Sequence, residues 1–157
     1  MPTGGLELVS TITGILAVIL VVKNNVWNWP IGLVCSVTTY FYLMDIKLFA
    51  DAYLQIFYLV MGLLGWYWWL RGGKEHGKLL VGRIGIREFL ASLAIGTAFA
   101  VWWTPILAKY GDPRPALDAV TTSLSLVAQY YVMRKYFENW IGWLVVNTVY
   151  VYLYWTS

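Results

Sequence analysis

What constrains this chain most is the spacing of its charges. They gather near positions 23, 45–51, 71–88, 109–118 and 134–138. Between these clusters the sequence runs apolar for about 20 residues at a time, enough for a helix to cross a hydrocarbon core. Only 12% of residues are charged and mean hydropathy is +0.63, whereas a soluble domain carries roughly a quarter charged residues. An all-α, polytopic membrane protein is expected. Ten Trp and twelve Tyr exceed what interfacial belts require, so some of these rings are expected to line a space inside the protein.

Six helices are expected, over about Glu7 to Val22, Pro30 to Met44, Asp51 to Leu70, Glu88 to Lys109, Ala116 to Tyr136 and Trp140 to Trp155. Pro30 suits a first helical position, with Asn28 as its cap. Pro105 is a candidate kink, and residues 71–87 form the long polar segment. Placing that segment in the cytoplasm puts eight of the eleven basic residues inside and the N-terminus outside, as the positive-inside rule favours.

One Cys (Cys35) and one His (His76) exclude an internal disulfide and a multi-Cys or two-His metal site. No glycine-rich phosphate loop and no nucleophile beside a base are present. The sequence therefore reads as no enzyme, with no metal and no cofactor. The net charge of +3 reports membrane orientation rather than nucleic-acid binding.

A shift of 111 residues lays Asn28-Trp29 on Asn139-Trp140 and Gly32 on Gly142 without a gap. The same shift lays Glu7 on Asp118, Lys23 on Arg134 and Leu33 on Leu144. Four helices fit within that lag, so the two copies keep one direction: a parallel repeat about an axis along the membrane normal, as some transporters use. The division expected is 1–70 as a first three-helix bundle, 71–115 as a loop and linker helix, and 116–157 as a second, incomplete bundle of two helices.

Polar and aromatic side chains on spanning helices mark candidate sites. Helical spacing puts Trp140, Trp143, Asn147, Tyr150 and Tyr154 on one face. Gln55, Tyr58, Gly62, Trp66 and Trp69 share another, and Asp118, Thr122, Ser125 and Gln129 a third. Such faces suit a flat, polar, cationic ring, with amides left for the hydroxyls of an attached sugar. Helix packing and interfacial belts would use the same residue types. Trp68 and Trp69, beside Arg71, read as belt residues, and Glu7 and Asp118 as acids favouring helix N-termini.

Val26-Trp27-Asn28-Trp29-Pro30, Leu48-Phe49-Ala50-Asp51-Ala52-Tyr53-Leu54-Gln55 and Gly65-Trp66-Tyr67-Trp68-Trp69 resemble the first half of the PnuC family of vitamin transporters. Leu117-Asp118-Ala119, Arg134-Lys135-Tyr136 and Glu138-Asn139-Trp140-Ile141-Gly142-Trp143 resemble its second half. The resemblance implies a SWEET-like plan of three, one and three helices, of which six of seven are found here, so a fragment lacking the last helix is expected. It also implies a homotrimer in a bacterial plasma membrane. The implied activity is facilitated diffusion of nicotinamide riboside, trapped inside by phosphorylation. Relatives that carry thiamine, riboflavin or deoxynucleosides keep those substrates open, and a non-transporting scaffold is the alternative expected if the natural chain ends at Ser157. Trp140 and Trp143 are the substrate-site residues that the resemblance implies. Asn147, Gln55, Tyr58, Asn28, Trp29, Trp66, Thr122, Gln129 and Asn139 complete the candidate set. Cys35 reads as a small apolar helix residue, and a phosphate would find no basic pocket among the helices, which argues against the mononucleotide.

Overall fold

The computed structural model of the protein describes residues 3–155, with the side chains of Thr3, Leu153 and Tyr154 outside the description. It is all-α: α1 (Thr3–Val22), α2 (Asn28–Asp45), α3 (Phe49–Arg71), α4 (Ile86–Lys109), α5 (Pro115–Met133) and α6 (Asn139–Trp155), with a short 3₁₀ turn at Lys74–His76. Residues 4–22, 49–71 and 86–109 are long and apolar enough to cross a membrane. The chain forms two compact units, Met1–Leu79 and Leu80–Ser157.

Helix ends decide where each element stops. A terminal helix leaves its last carbonyls open, and four connections close them by the same device, a single residue in the left-handed region. Asn24, Lys47, Gly111 and Lys135 take φ of 50°, 65°, 84° and 58°. In each case that residue and the next donate their N–H groups back into the preceding turn, as in Tyr136 N to Tyr131 O at 2.9 Å and Lys135 N to Val132 O at 3.0 Å. This is the Schellman closure. It explains why α5 ends at Met133 and not at Tyr136 as the apolar run implied: the chain has already turned over at Lys135.

The connection from α1 to α2 and that from α5 to α6 match bond for bond at an offset of 111 residues. Lys23 N to Ile19 O, Asn24 N to Val21 O, Asn25 N to Leu20 O and Asn28 N to Asn25 O recur as the bonds of Arg134, Lys135, Tyr136 and Asn139 to Tyr130, Val132, Tyr131 and Tyr136. The side chains follow. Asn28 Nδ2 donates to Asn25 O at 2.7 Å, and Asn139 Nδ2 to Tyr136 O at 2.5 Å.

This geometry corrects the reading of Asn28 as a cap. Helix α2 already includes Asn28 and Trp29, and no side chain caps it. Asn25 instead turns the chain, its Oδ1 accepting the Trp27 N–H at 3.0 Å. Pro30 therefore lies in the first turn rather than at its first residue, where a missing N–H is still harmless. Helix α4 runs continuously through Pro105, with Thr104 Oγ1 donating to Ala100 O at 2.8 Å just before it.

In the first unit α2 packs on both α1 and α3. Cys35 Sγ lies 3.3 Å from Ser10 O as a hydrogen-bond donor, and Leu33 fills the space above Gly62. The indole of Trp29 lies flat against Gly65, where any Cβ would overlap the ring. It meets Trp69 edge-on, with centroids 5.5 Å apart and planes at 85°. Trp69 is buried, so it is a packing residue and not part of a membrane belt; only the contact with α2 could have revealed that.

In the second unit α5 packs on both α4 and α6. It does so through small residues, as helices in lipid commonly do. Ser123 Oγ donates to Gly96 O of α4 at 2.5 Å, and a Cβ at Gly142 of α6 would lie 3.1 Å from that of Ala128.

Two stability effects follow. Gly65→Ala drives a methyl into the Trp29 ring and is expected to lower stability by about 1–3 kcal/mol, the range for overpacking. Lys135→Gly removes the strain of a side chain in the left-handed region and is expected to raise stability by about 1 kcal/mol. Thermal unfolding of both variants in one detergent, followed by circular dichroism, reads the two opposite shifts.

Candidate functional site

Backbone geometry places the candidate residues in two settings. Asn28 and Trp29 sit together at the start of α2 and are buried. The Asn28 amide is held by the connection, and Trp29 is only 3% exposed. Its Nε1 is buried without a hydrogen-bond partner in the protein, which marks the ring as an apolar filler. On α3, Gln55, Tyr58 and Trp66 are half-buried and share a face with Gly62, which borders α2.

In the second unit, Thr122 is buried and Gln129 half-buried on α5. Asn139 is buried, with Nδ2 bound to Tyr136 O and Oδ1 without a protein partner. Trp140 is 39% exposed, Trp143 half-buried and Asn147 exposed. Spaced by three and four residues, these last three form one open aromatic and amide face. Tyr154, assigned to that face by spacing, has its side chain outside the described residues.

The recurring tryptophans thus differ. Trp29 is sealed by Gly65 and Trp69 of α3. Its equivalent Trp140 is open, and Leu144, equivalent to Leu33, is 69% exposed. The open ring can stack on a ligand; the sealed one is taken up by its own unit.

Sequence reasoning missed a second cluster. Glu88 at the start of α4 accepts hydrogen bonds from Tyr130 OH at 2.5 Å and Tyr136 OH at 2.6 Å, one on each carboxylate oxygen. Arg134 Nε lies 3.7 Å from Glu88 Oε1 and also donates to Tyr136 OH at 3.4 Å. Burial first, and then donation to Glu88, push the Tyr136 phenol above its ordinary value. The hydrogen bond to Tyr136 holds the Arg134 guanidinium protonated even more firmly than usual. The only sequence trace was an acid in the first turn of an apolar helix; the partners lie 42 and 48 residues away.

The polar segment is stitched to the same place. Gly82 N donates to Lys135 O at 3.1 Å, Phe137 N to Gly82 O at 2.9 Å, and Ile84 N to Glu138 Oε2 at 3.2 Å. Alongside runs an apolar cleft of about 400 Å³. Phe89 and Leu93 of α4, Val127 and Ala128 of α5, and Ile141 and Val145 of α6 are among its walls. No group of three or more His, Cys, Asp or Glu able to hold a metal occurs among the described residues.

Comparison with known proteins agrees with this architecture. Residues 4–157 match the family described as "Nicotinamide mononucleotide transporter". The nicotinamide riboside transporter PnuC of Neisseria mucosa is 31% identical, over 98% of this chain and 60% of that protein. That of Escherichia coli is 25% identical over 95% and 73%. A riboflavin/roseoflavin transporter, RibM of Streptomyces davaonensis, is 29% identical over 91% and 68%. A crystal structure of the vitamin B3 transporter PnuC superposes with a TM-score of 0.75 at 26% identity, over 97% of this chain and 67% of that one. The chain thus spans about three fifths to three quarters of the length of these relatives.

Removing the Tyr136 hydroxyl tests the cluster. Tyr136→Phe loses a hydrogen bond to a charged group and is expected to cost about 1–3 kcal/mol at neutral pH. A raised phenol pKa makes that contribution complete below about pH 10 and progressively lost as pH climbs through the raised value. Unfolding curves of wild type and variant should therefore converge in strong alkali.

Proposed function

From a chain that belongs to the nicotinamide mononucleotide transporter family, and whose fold is that of a multi-pass membrane protein, we propose a carrier for nicotinamide riboside. It works by facilitated diffusion, and phosphorylation inside the cell traps the substrate. The observation that carries this reading is the open face of Trp140, Trp143 and Asn147. An exposed indole stacks on a cationic pyridinium, while amides bind a carboxamide and ribose hydroxyls. Gln55, Tyr58, Trp66 and Gln129 supply further polar and aromatic contacts in this reading, and Asn28, Trp29, Thr122 and Asn139 support them from buried positions.

The riboside is favoured over the mononucleotide by the placement of positive charge. The basic residues lie at helix ends and in connections, and Arg134 is engaged by Tyr136. A phosphate in the membrane would meet aromatic walls instead. The relatives named as riboside transporters support the same choice.

The bond-for-bond match of the two connections supports the parallel-repeat plan, with 1–70 and 116–157 as the repeating segments and 71–115 as loop and linker. Basic-residue placement supports a cytoplasmic 71–87 segment and an outside N-terminus in a bacterial plasma membrane. A homotrimer completes this reading. A flavin carrier is the second reading, favoured by the similarity to the riboflavin/roseoflavin transporter; an isoalloxazine would stack on the same indoles.

Titration calorimetry of the purified chain with nicotinamide riboside, its mononucleotide, thiamine and riboflavin decides between them. Riboside binding alone is expected, and Trp143→Ala should weaken it by about 1–3 kcal/mol, as loss of a stacked ring does. Tight flavin binding would select the second reading. Riboside binding unchanged in that variant would remove Trp143 from the site.

A further inference from the structure

The foot of α6 hangs from Tyr136, Phe137 and Glu138, whose carbonyls accept the N–H groups of Asn139 at 3.2 Å, Trp140 at 3.3 Å and Gly142 at 3.1 Å. Each of these three residues is also gripped from the stretch 82–88. Gly82 O accepts the Phe137 N–H at 2.9 Å, and Glu138 Oε2 accepts the Ile84 N–H at 3.2 Å. Glu88 Oε2 accepts the Tyr136 hydroxyl at 2.6 Å, while its other oxygen accepts that of Tyr130. One carboxylate thus spans the reversal at the left-handed Lys135, holding a residue before it and a residue after it. The Tyr136 carbonyl also accepts Asn139 Nδ2 at 2.5 Å, one position before Trp140.

The first unit lacks the two phenols. Its equivalent positions are Ile19 and Asn25, and α2 is held from the side instead, by Gly65 and Trp69 of α3 against Trp29. In the second unit α6 packs on α5, while its Trp140 and Leu144 stay open. A helix held along one side takes its direction from its foot. Asn147 lies eight residues beyond Asn139, about 12 Å along the axis, so a tilt of about 10° carries it about 2 Å sideways. Hydrogen bonds are too short-ranged to survive a displacement of that size. We propose that Glu88 is a positioning residue for the α6 face: acting through Tyr136, it sets the direction in which Trp140, Trp143 and Asn147 are presented. Its effect on the rings follows from the geometry of the foot, whereas its effect on binding rests on the proposed substrate role of that face.

Fluorine NMR of the full chain labelled with 5-fluorotryptophan reads ring positions with no ligand present, and Trp140→Phe, Trp143→Phe and Trp29→Phe assign the resonances. Glu88→Gln keeps the size of the side chain but removes the charge that both phenols bind. Tyr136→Phe removes only the hydroxyl, and answers alone if the charge change prevents folding. Both variants are expected to move the Trp140 and Trp143 resonances and to leave that of Trp29 in place. Ser92→Ala is the control: it deletes a comparable bond one turn further along α4, between Ser92 Oγ and the Tyr131 hydroxyl at 2.6 Å. It is expected to lower stability without moving Trp140 or Trp143. In calorimetry Glu88→Gln should weaken riboside binding by about two- to tenfold, the factor that loss of one hydrogen bond brings. The double variant should bind no more weakly than the weaker single, because both cut one link. Resonances of Trp140 and Trp143 unmoved by Glu88→Gln and Tyr136→Phe would overturn the proposal. So would an equal movement in Ser92→Ala, which would make Glu88 one packing contact among others. Moved rings with unchanged affinity would overturn its bearing on binding. A wild-type chain that binds no riboside would sink the carrier reading alone, and the fluorine spectra would still decide the role of Glu88.

Discussion

The last carbonyls of a helix have no partner within it, and at the edge of a hydrocarbon solvent a spanning chain does best to close them with its own atoms. Four connections in this protein meet that demand in one way, with a left-handed residue and two N–H groups folded back. Three of the four use Asn or Lys where glycine would be easier. Two of these turns do more than close a helix: beside Asn24, Asn25 turns the entry to α2, and the Lys135 carbonyl accepts the Gly82 N–H of the polar segment. Everything the helices present depends on these turns, because each fixes the azimuth at which the next helix leaves.

That dependence makes the contrast between the two units informative. The same turn launches α2 and α6, yet Trp29 disappears beneath α3 while Trp140 stays open. Identical local instructions have been given different surroundings, with glycine at position 65 deciding the first case. The tyrosines work the other way. Tyr130 and Tyr136 stand where the first unit has Ile19 and Asn25, and they anchor Glu88 of α4. One copy of the turn has thus acquired a polar lock that the other lacks.

The six helices were legible in the sequence because charge clusters and apolar runs report membrane crossing directly. The likeness of the two connections was legible from Asn28-Trp29 and Asn139-Trp140 because a gapless offset survives without any tertiary knowledge. Helix ends were less so. Nothing in Arg134-Lys135-Tyr136 signals a reversal, since lysine carries no turn preference, and Asn28 looked like a cap because caps and back-bonded amides use the same side chain. Trp69 looked like a belt residue because an indole near Arg71 fits either role until its partner is seen. The Glu88 cluster joins residues more than forty positions apart, beyond the reach of periodicity. The open face of α6 was legible by spacing alone, but that Trp29 would be sealed was not.

The matched connections also act as a ruler. An α-helix turns by about 100° per residue, so adding or deleting a single residue between Arg134 and Asn139 would swing every side chain of α6 by more than a quarter turn. Trp140, Trp143 and Asn147 would then leave their common outlook together. Length in this stretch is therefore frozen by geometry even where residue identity is free to drift. The polar segment before Gly82 is under no such restraint and is the place where the chain can grow or shrink without altering what α6 presents.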